Sequence, residues 1–211
     1  GVLSMVTESI HIVPLDGEKP SQFAERVGRM YADASVQKDK KHKGQFFTPL
    51  AISQFMGNLG TPSEKNSVSV LDPGCGLAIL SCALIEHLVE DSKLETIALT
   101  LYETDKNVVP LTGLVLSYLQ EWCKRQGIRL NYQLNESDFV LDKCEYLDSD
   151  DSIFGAMNAG ERFDYIISNP PYFKLAKDDV HTRSCASIVD GQTNIYALFM
   201  AICTKLLEDD G

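Results

Sequence analysis

Four short apolar runs in this chain each close on a carboxylate or an amide. Val68, Val70 and Leu71 run into Asp72, and the run from Ile97 to Tyr102 ends in Glu103. Ile128, Leu130, Tyr132 and Leu134 alternate with polar residues and lead to Asp138, and Tyr165, Ile166 and Ile167 stop at Ser168 and Asn169. The intervals are roughly thirty residues, the size of one βαβ unit. Right-handed crossovers between parallel strands bring all four closing residues to one edge of a sheet. That carboxyl edge is where open α/β sheets bind their ligands. The pattern predicts an α/β domain of three layers, with a twisted, mainly parallel sheet and helices on both faces.

The fourth run carries the sharpest chemistry. It reads FDYIISNPPY over 163–172. The apolar triplet has the pattern of a strand buried on both faces. Pro170 and Pro171 fix φ and give no N–H, so the chain leaves the sheet there in a stiff, extended form. An exocyclic amine on a nucleobase is a poor nucleophile because its lone pair is delocalised into the ring. Two acceptors, the Asn169 side-chain oxygen and the Pro170 carbonyl, can bind its two hydrogens and draw the nitrogen toward tetrahedral geometry. Tyr172 can stack on a base taken out of the helix. This turn alone does not separate DNA adenine, protein glutamine and RNA guanine as the substrate.

Three further segments predict a nucleoside-bearing ligand. Asp72-Pro73-Gly74-Cys75-Gly76 joins the first strand to a helix over 79–89, and its glycines let the backbone turn sharply and approach a ligand. A lone GxG is common to many strand-to-helix turns, but Asp72 suits a cationic amine better than a phosphate. Glu103 can take both ribose hydroxyls. Asp138 and Phe139 offer a carboxylate and an aromatic ring to an adenine. Upstream, Thr48 and Pro49 read as an N-cap and first-turn proline of a helix over 48–59, whose free N–H groups can seat a carboxylate.

Elsewhere, 1–20 reads as a weakly structured lead-in. Phe23, Val27, Met30, Tyr31 and Ala34 predict an amphipathic helix over 21–35. Lys38, Lys40, Lys41 and Lys43 form a basic run, read as a solvated loop or a phosphate contact. A long helix is expected over 106–126, an acidic connection over 140–161, a polar loop over 173–192 and a last helix over 194–207. The 211 residues suffice for one well-buried domain. No run of about 18 apolar residues predicts a membrane span, and the start does not read as a signal peptide. The six cysteines show no CxxC pair and the four histidines no ligand spacing. Free thiols, a cytoplasmic protein and no metal site are therefore expected. A net charge of −11 opposes a grip on DNA by this chain alone.

In order, GQFFTP, LDPGCG, LYETD, SDF and SNPPYF resemble the gamma class of N6-adenine DNA methyltransferases of restriction–modification systems. The likeness spans about 40–211, and GQFFTP is its discriminating block, not expected ahead of the glycine-rich loop in protein-glutamine methyltransferases. The resemblance implies a Rossmann-like fold dependent on S-adenosylmethionine. It divides the chain into a lead-in and helix over 1–43 and a catalytic domain over 44–211. It implies that Thr48 and Pro49 flank the methionine end of the cofactor, that Asp72, Gly74 and Gly76 form the cofactor loop, and that Glu103 binds ribose. Asp138 and Phe139 then hold the cofactor adenine, while Asn169, Pro170 and Tyr172 hold and activate the target adenine. The implied partners are double-stranded DNA and a restriction or specificity subunit, with no membrane. In that family the sheet continues past this point into later strands and a target-recognition domain, so the resemblance also implies a C-terminally truncated chain. The rival readings are an N5-glutamine methyltransferase acting on protein, and a non-catalytic cofactor-binding subunit of a restriction complex. Cytosine C5 chemistry is excluded because no Pro-Cys pair stands at the required strand end.

Overall fold

The structure, a computed structural model, describes residues 11–35, 66–139, 142 and 163–167. Its elements are α1 (Pro20–Ser35), β1 (Ser67–Asp72), α2 (Ile79–Leu88), β2 (Thr96–Tyr102), α3 (Val109–Arg125), β3 (Arg129–Asn135) and β4 (Tyr165–Ile166). The four strands form one sheet in the order β3-β2-β1-β4. All three pairings are parallel, as the spacing of the strand ends predicts. The chain steps outward from β1 to β2 to β3, then returns to place β4 on the other side of β1. The topological switch therefore lies between β1 and β4. The helices expected over 48–59 and 194–207, the basic run, the loop over 173–192 and, apart from Asp142, the connection over 140–161 lie outside the described residues.

The core sits between the sheet and the helices. Val68, Val70, Ile97, Leu99, Leu101 and Leu130 supply its strand side, each at most 2% exposed. The alternate positions Ala98, Asn131 and Gln133 are open or polar, the period-2 signature of strands with one face out. α2 is apolar nearly all round (ILSCALIEHL), and eight of its ten residues are buried. Such a helix must be covered on more than one side, and α1 supplies the second cover by packing on both α2 and α3.

α1 is pinned to α2 at its start. Glu86 of α2 accepts the Ser21 hydroxyl at 2.6 Å and the Ser21 N–H at 3.1 Å. A carboxylate thus meets the positive end of a helix dipole. The buried arc of α1 contains Phe23, Ala24, Val27, Gly28 and Tyr31, while Met30 and Ala34 are exposed. Met30 and Ala34 were expected on the buried stripe. The small residues Ala24 and Gly28 lie within the buried arc, and Met30 and Ala34 stand at its rim.

The lead-in over 11–19 carries little regular structure, but it is held down. Arg26 donates from Nε and Nη2 to the two oxygens of Glu18, both at 2.9 Å, and from Nη2 to the Val13 carbonyl at 2.7 Å. Tyr118 of α3 donates its hydroxyl to the Glu18 carbonyl and packs edge-on against Phe23. β4 is the shortest strand, and Tyr165 and Ile166 are half-buried rather than covered on both faces. It is clasped at its start: Asp164 accepts the Ser69 N–H at 2.8 Å, and its own N–H reaches the Ser69 carbonyl at 2.9 Å.

Candidate active site

Asp72 ends β1 and Glu103 follows β2, and both are buried, at 1% and 5% exposure. The strand registers place them side by side at the carboxyl edge, since Asp72 pairs with Leu101. On the other side of β1, Leu71 pairs with Ile166, and the Ile167 N–H binds the Leu71 carbonyl at 3.0 Å. Ile167, the last described residue of this segment, therefore stands beside Asp72, next in sequence to Ser168. Asn169, Pro170 and Tyr172 lie outside the described residues, as do Thr48 and Pro49.

The loop after β1 is built from backbone hydrogen bonds. Cys75 N–H donates to the Tyr102 carbonyl at 3.0 Å, which ties the loop to the end of β2. Gly74 is exposed at the turn. Gly76 has φ +53°, and Ala78 has φ +63° with ψ +29°, so both stand in the left-handed region just before α2. Sequence reading centred the turn on Gly74 and Gly76. The conformational demand falls on Gly76 and Ala78, and alanine at the second position hides the signal, because left-handed backbone is read from glycine.

Glu103 clamps this loop. Its Oε2 accepts the Gly76 N–H at 2.9 Å and its Oε1 accepts the Asp105 N–H at 2.9 Å. The Thr104 N–H also favours the ionised group, and the carboxylate keeps lone-pair capacity for a ligand hydroxyl. Burial raises its pKa above the ordinary carboxylate range. From the opposite side, Thr112 of α3 directs its hydroxyl to the Gly76 carbonyl at 2.6 Å, with the Val108 carbonyl at 3.0 Å.

Asp72 Oδ2 accepts the Ser81 hydroxyl at 2.5 Å, while Oδ1 is buried with no hydrogen-bond partner. Burial pushes its pKa up to about 7; the Ser81 hydroxyl and the Gly74 N–H pull it down, and the nearby Glu103 charge adds a smaller rise. An orphaned carboxylate oxygen at the carboxyl edge fits a cationic group, and a neighbouring carboxylate at the next strand end fits a diol. Together they suit a nucleoside carrying an amino acid. The buried thiols of Cys75 and Cys82 have pKa values raised well above the ordinary range by burial, so neither is a ready nucleophile.

Beyond β3, Asp138 is half-buried, and its carbonyl accepts the Asp142 N–H at 2.9 Å. Phe139 is 2% exposed, with its ring edge-on to Tyr102 at 5.3 Å. Tyr102 in turn donates to Asp142 Oδ2 at 3.1 Å. Gly76 and Glu103 are thus in direct contact, Asp72 stands at the neighbouring strand end and feels the Glu103 charge, and Phe139 joins the edge through Tyr102. Sequence reasoning missed Ser81 and Thr112. For Ser81 the available signal was the one hydroxyl of a largely apolar helix, which must find a partner when buried; the helix of Thr112 also carries Ser117 and Tyr118 and gave no such signal.

A family model described as N-6 DNA Methylase matches residues 25–211. The chain belongs to this family. It is 29% identical over 174 residues to the type II methyltransferase M.BsuBI of Bacillus subtilis, covering 82% of this chain and 33% of that protein. It is 28% identical over 176 residues to the EcoEI type I restriction enzyme methylase subunit of Escherichia coli, covering 80% and 31%. The chain spans about a third of the length of these curated relatives. A crystal structure from Listeria monocytogenes, described as a class I S-adenosylmethionine-dependent methyltransferase, matches with a TM-score of 0.56 at 16% identity, over 93% of this chain and 53% of that one. The fold is that of the class I methyltransferases. Among the described residues no helix of this family member is long and apolar enough to cross a membrane, and no group of three His, Cys, Asp or Glu residues can hold a metal.

Proposed function

We propose that this chain is the catalytic part of a site-specific DNA methyltransferase that transfers a methyl group from S-adenosylmethionine to adenine N6 in double-stranded DNA. The observation that carries this reading is the pair of buried carboxylates, Asp72 and Glu103, at the switch beside β4, whose sequence runs on into Ser-Asn-Pro-Pro-Tyr. Bound there, the cofactor would supply an electrophilic methyl group on a sulfonium. The residues of this chain bind and position. Asp72 takes the ammonium and Glu103 the ribose hydroxyls, with Gly74 and Gly76 giving the loop its approach. Thr48 and Pro49 stand at the methionine end, and Asp138 and Phe139 at the adenine. Asn169 and the Pro170 carbonyl hold the two N6 hydrogens of a base flipped out of the duplex, and Tyr172 stacks on it. Catalysis by this set is orientation and fixed electrostatics.

The N-6 DNA Methylase family supports DNA as substrate, and the likeness to a type I restriction enzyme's methylase subunit supports a restriction or specificity subunit as partner; a cytoplasmic location belongs to the same proposal. The charge of −11 favours the other substrate class, a glutamine on a protein. One experiment separates them. The full-length protein is incubated with methyl-labelled cofactor and either DNA or cell protein, and the labelled product is hydrolysed and identified. N6-methyladenine is the expected product; label only in N5-methylglutamine would overturn the DNA reading.

A further inference from the structure

We propose that Ser81 is a positioning residue for cofactor binding, holding the Asp72 carboxylate in the orientation that leaves Oδ1 open to the cationic amine of the methionine moiety. The proposal rests on the reading of this edge as the S-adenosylmethionine site. Ser81 is fully buried in α2, and its hydroxyl carries one proton. That proton goes to Asp72 Oδ2 at 2.5 Å. The second oxygen is left buried and unbonded, a costly state for the ligand-free protein that a bound cation relieves. The titratable groups acting on Asp72 and its loop are Glu103 at the end of β2, Cys75 in the loop and Cys82 on α2. Among the described residues none of these is a cation, and a ligand amine would supply the compensating charge. Removing Ser81 frees the carboxylate to rotate about its last bond and withdraws the donor that favours its ionised form.

The test compares two ligands on the full-length protein by titration calorimetry over a pH series. S-adenosylhomocysteine carries the amine, and 5′-methylthioadenosine has the same adenosine and thioether without the amino acid. In the wild type, affinity for S-adenosylhomocysteine should fall more steeply as pH drops through the Asp72 titration than that for methylthioadenosine, which meets Glu103 through its ribose but not Asp72. Ser81→Ala should move this fall to higher pH and weaken S-adenosylhomocysteine roughly tenfold at neutral pH, with methylthioadenosine unchanged. Ser81→Thr, which keeps the hydroxyl, should restore the wild-type profile. Equal loss of both ligands at every pH, or an unshifted profile, would overturn the assignment. A wild-type protein that binds neither ligand would overturn the cofactor reading itself, and the proposal with it.

Discussion

Glu103 holds the Gly76 N–H at 2.9 Å, so the carboxylate expected to bind ribose also fixes the loop that faces the rest of the cofactor. Glu103→Ala removes a charge-assisted bond pair and frees the loop together. Cofactor affinity in the full-length protein should fall by about 1.5–3 kcal/mol, measured by calorimetry with S-adenosylhomocysteine. Equal affinities would remove Glu103 from the ribose.

Asp72 makes the ligand-free protein less stable as pH rises. Its folded pKa, about 7, stands above its unfolded value of about 4. The folded state therefore binds more protons between these values, and stability falls as pH climbs from about 4 to about 7. Glu103 is shifted in the same direction and adds to the slope. Asp72→Asn keeps an acceptor for Ser81 and removes the buried charge. It should raise neutral-pH stability by on the order of 2–4 kcal/mol while lowering cofactor affinity. Urea titrations on either side of this window check the sign; a stability that rises with pH in both proteins would contradict it.

If the Asn169 amide holds the substrate amine as proposed, Asn169→Ala in the full-length protein should abolish methyl transfer and leave cofactor affinity nearly unchanged. Tyr172→Ala should be milder, costing roughly 1–3 kcal/mol through lost stacking. Single-turnover rates, set beside binding of the demethylated cofactor, separate the two effects. Retained turnover in the first variant removes Asn169 from the mechanism.

Ser21→Ala should loosen α1. It deletes the 2.6 Å bond to Glu86, whose pKa is already raised by burial, and leaves part of that carboxylate without a donor. A loss of about 1–2 kcal/mol is expected in denaturant unfolding. Full stability in the variant would show that the helix contact is carried by packing alone.

The strands and the edge they share were legible in the sequence because each apolar run closes on a polar residue that cannot continue a buried strand. Asp72 and Glu103 could be read singly for the same reason. The tie between Glu103 and Gly76 could not, since it depends on the β1–β2 register. Ala78 concealed its left-handed backbone behind a side chain that rarely adopts it. Met30 and Ala34 obey helical spacing yet lie outside the buried arc, while Ala24 and Gly28 lie within it, and their smallness carries no periodic signal.

With eight of its ten residues buried, α2 has almost no solvent face on which a new side chain can be absorbed. Ser81 also sits on it, one bond from Asp72. Random substitution in 79–88 will therefore be read twice, as lost packing and as a disturbed carboxylate. A library selected for a new target sequence should accordingly return this helix almost untouched, with its accepted changes gathered elsewhere in the chain.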